Sequence, residues 1–142
     1  MNRETIHQAL FDKVAAVATF KTTSRRWKSF NEVPAADQPA FFQVQGKQES
    51  QTTTGQPTVW KFHVDLVIYV NSGGDHSVIP ASVINPIVDA ITALFDPNPP
   101  TFNKQTLGGL VHYARVSGAI ETDEGVLGEQ GYAVIPIEIL VS

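Results

Sequence analysis

Thr58-Val-Trp-Lys-Phe-His-Val-Asp-Leu-Val-Ile-Tyr-Val70 is the stretch on which the fold turns. Trp60, Phe62, Val64, Leu66, Ile68 and Val70 occupy every second position without a break. Successive side chains of a strand point to opposite faces, so these six share one face, and that face must be core. The opposite face carries Lys61, His63, Asp65, Val67 and Tyr69. Asn71-Ser-Gly-Gly-Asp75 then ends the strand in a turn.

Upstream, Ala40 to Gln48 reads as a second strand, with Phe42, Val44 and Gly46 on one side and Phe41, Gln43 and Gln45 on the other. Between the two strands, Glu49 to Pro57 contains only polar and turn-forming residues, which predicts a hairpin with a long exposed tip. Phe30 to Pro39 is a loop punctuated by Pro34 and Pro39. Phe20 to Trp27 reads as a strand containing β-branched Thr22 and Thr23. Ile6, Leu10, Val14 and Val17 recur at helical spacing, widened by Ala9 and Ala18, and predict a helix over about Asn2 to Ala18.

Downstream, Ile84, Ile87, Val88, Ile91, Leu94 and Phe95 form a second helical stripe. Asn85-Pro86 fits a cap followed by a first-turn proline. A start at Pro80 with a kink at Pro86 fits as well; the preferred reading is a helical turn from Pro80 running into a main helix from Pro86 to Phe95. Asp96-Pro-Asn-Pro-Pro100 stops it. Leu110 to Glu121 reads as a strand, and Thr122 to Gly131 as a loop with three glycines and three acids. Tyr132 to Val141 is the last strand, sending Ala133, Ile135, Ile137, Ile139 and Val141 into the core. Pro136 removes a ladder donor, which predicts an edge position or a neighbouring bulge. The order implies an α+β fold in one domain over residues 1–142. Its plan is one mostly antiparallel or mixed sheet with two helices on one face.

Composition narrows the function classes. Of 142 residues, 42% are hydrophobic and 17% charged, with a formal net charge of −4. The charged fraction lies below the ~25% usual in soluble domains, leaving surface for polar or apolar contact between subunits. The acidic balance argues against general phosphate-backbone binding, and Arg25, Arg26 and Lys28 are too short a basic cluster to reverse that. The absence of cysteine removes thiolate metal sites, redox motifs and disulfides. No apolar run approaches the ~20 residues of a membrane helix, and Asp12 and Lys13 interrupt the only apolar stretch near the start. The expectation is a protein made in a cytoplasm, with no membrane partner.

Catalytic signals are weak. His63 and Asp65 share a strand face, but no third group at ligand spacing accompanies them, and two polar residues on an outer face explain them as well. Asp75-His76 sits in a glycine turn. Ser72-Gly73-Gly74 and Leu107-Gly108-Gly109 lack the Gly-Lys-Ser/Thr ending of a phosphate loop. Asp123 and Glu124 read as a solvated pair. Trp60 belongs to the core. Trp27, beside Arg25 and Arg26, is either an exposed anchor of the kind enriched at interfaces or a strand-end aromatic covering the core. The chain therefore reads as one that works by shape and contact, with no catalytic residue, metal or cofactor.

Several segments stand in a telling order: Arg26-Trp27, Val33-Pro34-Ala35 and Gln38-Pro39-Ala40, then the alternating run from Trp60 to Tyr69. After them come Ile87-Val-Asp-Ala-Ile-Thr-Ala-Leu94 with its proline-rich break, Thr106-Leu-Gly-Gly109, a strand ending near Gly118, and Ala133-Val-Ile-Pro-Ile-Glu-Ile139. Across nearly the whole chain this course resembles the tail terminator, or tail completion, proteins of long-tailed bacteriophages. The resemblance implies a homo-oligomeric, hexameric ring at the head-proximal end of the tail tube. Such a ring halts tube polymerisation and offers a docking surface to the head connector protein, with the sheet extended between neighbours. It implies a virion protein assembled in host cytoplasm, no cofactor, and DNA that only passes through the lumen. An acidic chain suits a passage that must not grip phosphate. A head-to-tail interface that closes makes such a ring. The polar loop from Gly46 to Pro57, with Gln48, Glu49, Gln51 and Thr53, is the first candidate contact, and Arg25, Arg26 and Trp27 are the second. A merely solvated hairpin tip is the alternative. Two other functions remain open: another head–tail neck or minor tail protein, and a small-molecule binding or enzymatic domain using the Lys61, His63, Asp65 and Tyr69 face.

Overall fold

The computed structural model describes residues 1–74, 77–96, 105–127 and 129–142, with backbone alone for 124–127. The expected Asp75-His76 turn and the proline run after Asp96 lie outside the described residues. The elements are α1 (Arg3–Ala15), β1 (Thr22–Ser24), β2 (Ala40–Gln51), β3 (Val59–Asn71), α2 (Pro80–Phe95), β4 (Tyr113–Val116), β5 (Glu121–Leu127) and β6 (Gln130–Val141). The strands form one mixed sheet in the order β1-β2-β3-β6-β4, with β5 also pairing β6. Only β1–β2 is parallel. The fold is α+β, with both helices on one face of the sheet, as the alternation and the two helical stripes predict.

β3 is the centre. It pairs β6 from Trp60 to Asn71 and β2 from Val59 to Tyr69. Phe62, Val64, Leu66, Ile68 and Val70 are all at most 1% exposed, and the inward residues of β6 meet them in the same core. Burying each such side chain contributes roughly 1.5–3 kcal/mol, as an upper figure, so this stripe outweighs any surface pairing in the molecule. α1 adds Ile6, Leu10 and Val14, and α2 adds Ile84, Ile91 and Phe95.

Several boundaries differ from expectation for local reasons. α1 begins at Arg3 because Asn2 Oδ1 accepts the Thr5 amide at 3.0 Å, and it stops at Ala15 rather than Ala18. β1 has three residues, since Ser24 Oγ captures the Arg26 amide at 2.9 Å and turns the chain. β2 runs on to Gln51, so Glu49 to Gln51 belong to a strand and the hairpin tip shrinks to Thr52–Thr58. α2 is one helix from Pro80 through Pro86, which sits on the exposed side where water can serve the carbonyl it frees.

The expected strand from Leu110 to Glu121 is only β4, because Leu107, Gly108 and Gly109 have positive φ before it and Gly118 after it. The expected loop from Thr122 to Gly131 is instead largely β5, lying antiparallel along β6. Charges that suit a loop equally suit an outer strand with exposed residues such as Glu121 and Thr122. Gly131 permits the approach: a Cβ there would lie 3.1 Å from the Asp123 carbonyl oxygen.

Pro136 resolves differently from the edge expectation. β6 is flanked on both sides, but β4 covers Ile137 to Leu140 and β5 covers Gln130 to Val134. The Pro136 carbonyl accepts the Ser117 amide at 3.0 Å, so its nitrogen, on the same side of the strand, faces the break between β4 and β5. The missing donor thus falls where no strand asks for one.

The second face of the sheet is not uniformly open. Val33, Ala40, Phe42, Val67 and Tyr69 form a second buried cluster with Phe30, Val44, Tyr132 and Val134. The segment expected as a loop contains two short 3-10 turns, Phe30–Glu32 and Ala35–Asp37, and it covers this half-face.

β2 and β3 shift register between Gln45 and Gln48, a bulge centred on Gly46. A Cβ at Gly46 would stand 3.0 Å from the His63 carbonyl oxygen. Gly46→Val is therefore expected to cost about 1–3 kcal/mol in urea unfolding, and an unchanged midpoint would contradict this close approach.

Candidate functional site

Past its short pairing with β1, the outer side of β2 is an edge of the sheet. Thr22, Thr23 and Ser24 pair Ala40, Phe41 and Phe42, and beyond them no strand lies beside β2 among the described residues. The chain leaving β1 then crosses that edge. Arg25 reaches the helix side, where it bonds Gln45 Oε1 at 3.1 Å, while the Lys28 carbonyl on the other side accepts the Tyr69 hydroxyl at 2.9 Å. Burial raises the Tyr69 phenol above its ordinary value, with a hydrogen bond from Trp27 opposing in part.

The candidate interface residues separate into two kinds. Arg25 is committed internally: its guanidinium pairs Glu4 and bonds Gln8 Oε1 at 3.0 Å, tying α1 to the rim of β2. Its hydrogen bond is the main reason the Glu4 carboxyl is held below its usual value. Gln48 is similarly engaged by Arg3 Nε at 2.8 Å, and Arg3 stacks over Trp60 with 4.7 Å to the ring centroid. Glu49 accepts from His63 Nε2 at 3.0 Å and pairs Lys47 at 3.2 Å. The bond to His63 leads the causes that lower the Glu49 carboxyl. Arg26, Trp27, Gln51 and Thr53 are exposed, and Trp27 retains 52% of its surface, so it does not cover the core. The structure therefore brings Arg25 and Gln48 together along the α1 rim, places Glu49 on the opposite face, and leaves Gln51 and Thr53 at the hairpin end.

The His63, Asp65 and Tyr69 face is divided. His63 turns to Glu49, Asp65 is exposed opposite Pro136, and Tyr69 belongs to the second buried cluster. Among the described residues no group of three His, Cys, Asp or Glu is placed to hold a metal ion. Two shallow depressions flank the hairpin base, lined by residues such as Glu49, Gln51, Lys61, Leu140 and His112.

Sequence reasoning passed over a buried carboxylate on that face. Glu138 is 5% exposed and accepts from Tyr113 Oη at 2.9 Å, Arg115 at 3.1 Å and Ser117 Oγ at 3.1 Å. Only register shows this, because Tyr113 and Arg115 lie on β4 and pair β6 beside Glu138. Burial alone would raise the carboxyl, but the bonds from Tyr113 and Ser117 and the Arg115 charge together hold it below its usual value.

No protein-family model and no curated protein matches the chain. A solved structure aligns over 100% of this chain and 96% of its own, with 16% identity and a TM-score of 0.54. At that identity the likeness concerns the fold.

A folded carboxyl more acidic than the unfolded one contributes stability that is complete above the unfolded value. That stability is lost as pH falls through the folded value. Glu138→Gln is therefore expected to reduce the loss of the urea midpoint between about pH 5 and pH 3. An identical pH profile in the two proteins would show that the Tyr113–Arg115–Ser117 cage does not stabilise the anion.

Proposed function

We propose that this chain is a structural subunit of a phage tail, a tail terminator. In this reading it closes into a homo-oligomeric ring, caps the head-proximal end of the tail tube and receives the head connector protein. It acts by contact, without catalysis or cofactor, and DNA only passes through the lumen.

The observation that carries the reading is the open side of β2. Of its twelve residues, three have a strand partner on the outer side. An unpaired edge is a template for another chain unless it is managed; here the chain leaving β1 crosses it as far as Gln45, and the Gly46 bulge and the exposed Lys47 follow. Past the bulge, Gln48 to Gln51 and the tip Thr52–Thr58, exposed up to Pro57, form an arm that extends beyond β1 and ends at Val59. Uncharged Thr, Ser and Gln side chains on that arm suit a contact made through hydrogen bonds. The order of segments along the whole chain, like that of tail terminators, names the class of ring. The committed Arg25 and Gln48 then hold the arm's base against α1, and Trp27, Gln51 and Thr53 are the contact residues.

The test is mass by light scattering, first alone and then with polymerising tail-tube protein. A ring of about six 15.5 kDa chains, or tubes capped and stopped at one end, is the expected result. Replacing Thr52–Thr58 by Asn-Gly is expected to abolish capping while the subunit still unfolds cooperatively, since Thr52 to Pro57 are exposed and Thr58 is only half-buried. A chain that leaves tube growth untouched but binds connector protein would instead be a neck protein. Binding to neither would overturn the reading.

A further inference from the structure

The interface between α1 and the sheet contains a polar group that nothing around it satisfies. His7 lies on the buried stripe of α1 with 1% of its surface exposed, and its ring stacks on Phe62 with centroids 5.5 Å apart. Neither ring nitrogen has a hydrogen-bond partner. Beneath it, Gln43 is also 1% exposed; its Nε2 donates to the His7 carbonyl at 2.8 Å and its Oε1 has no partner. A neutral imidazole in this site leaves one donor and one acceptor unmet. An imidazolium would leave two charged donors unmet in a desolvated position, which costs far more.

The charges around the site oppose protonation. On α1 itself stand Arg3, one turn before His7, and Glu4. From the β1 side comes Arg25, whose guanidinium is fixed on Glu4, Gln8 and Gln45. β2 and β3 present neutral Gln43 and Phe62. The Glu4 carboxylate favours the imidazolium, but it is engaged by Arg25 and is outweighed by burial and the guanidinium charge. Burial first, and the Arg25 charge second, push the His7 imidazole below its ordinary value.

We propose that α1 is a proton-sensitive clasp: the helix docks only while His7 is neutral, and mild acid weakens its hold on the sheet, so that the undocked helix becomes about tenfold more populated while the β2–β3–β6 core stays folded. The rest of the α1 contact supports selective release. Besides Ile6, Leu10 and Val14, it includes the small side chains of Ala9 and Ala15, a stack of Phe11 on Phe41, Arg3 over the Trp60 ring, and rim bonds made by Arg3 and Arg25. Exposed rim pairs contribute little, because solvent screens them. Undocking would uncover Phe41 and Phe62, apolar surface fit to meet another chain. The clasp does not depend on whether the chain forms a ring.

Amide hydrogen exchange on the full chain at pH 7.5 and pH 5.5, corrected for the intrinsic rate, reads this directly. With an unfolded histidine titrating near 6.5, protection of α1 amides is expected to fall by about tenfold between these pH values. β3 and β6 should keep theirs. His7→Phe, which keeps the stack on Phe62, is expected to abolish the fall. Unchanged α1 protection, an equal fall in His7→Phe, or a parallel loss across β3 and β6 would each overturn the clasp. Should that variant not fold, the ring titration of His7 by NMR in the unaltered chain decides. A His7 that titrates near 6.5 with α1 still protected refutes the proposal, and one that stays neutral until α1 opens supports it.

Discussion

Two-sided pairing of β3 is the constraint on which everything else rests. A strand hydrogen-bonded along nearly its whole length to β2 and to β6 has no backbone group left for any other arrangement. Its strict alternation then fixes which side each neighbour must present. A one-residue slip would move Phe62, Val64, Leu66, Ile68 and Val70 from core to the opposite face, so the register is held by the largest apolar term in the molecule. The helices, the bulge at Gly46 and the break at Pro136 are accommodated around that ladder.

The two sheet faces meet different ends. The helix face is closed by α1 and α2 into one core. The other face is closed only over Phe42, Val67 and Tyr69, where residues of the 30–39 segment pack down. The remainder carries an alternating row of charges across the strands, Glu49 beside His63 and Glu138 beside Arg115. Those pairs satisfy each other laterally, so His63 turns to Glu49 on β2 and not to Asp65 on its own strand. His63 and Glu138 each take a partner from the adjacent strand.

The same ladder leaves β2 half unpartnered and extends it into an arm, and it forces α1 to cover the β2–β3 surface with a helix that includes His7. The open edge speaks to assembly, and the buried imidazole to the conditions under which α1 stays in place. Both arise because β2 is longer than the strand beside it: β1 shields three residues, and α1 and the Arg25 bridges must cover the stretch beyond Phe42.

Sequence alone determined whatever depends on local periodicity. The alternation from Trp60 to Val70 and in Ala133 to Val141, and the stripes Ile6-Leu10-Val14 and Ile84-Ile91-Phe95, specify elements and their core faces because the backbone repeats are fixed at two and 3.6 residues. It also identified Trp60 as packed on the core side and the tip around Thr53 as exposed. Tertiary structure decided whatever depends on a neighbour distant in the chain. β5 is a strand because β6 lies beside it, although its own charges and glycines read as a loop. Arg25 is a stitch because Glu4 and Gln45 converge on it from two elements. Glu138 is enclosed by β4, and His7 is buried although histidine is common at surfaces, because Phe62 and Gln43 meet it from the sheet. Polar side chains have no period of their own; their partners are set by register and packing, which exist only once the sheet has formed.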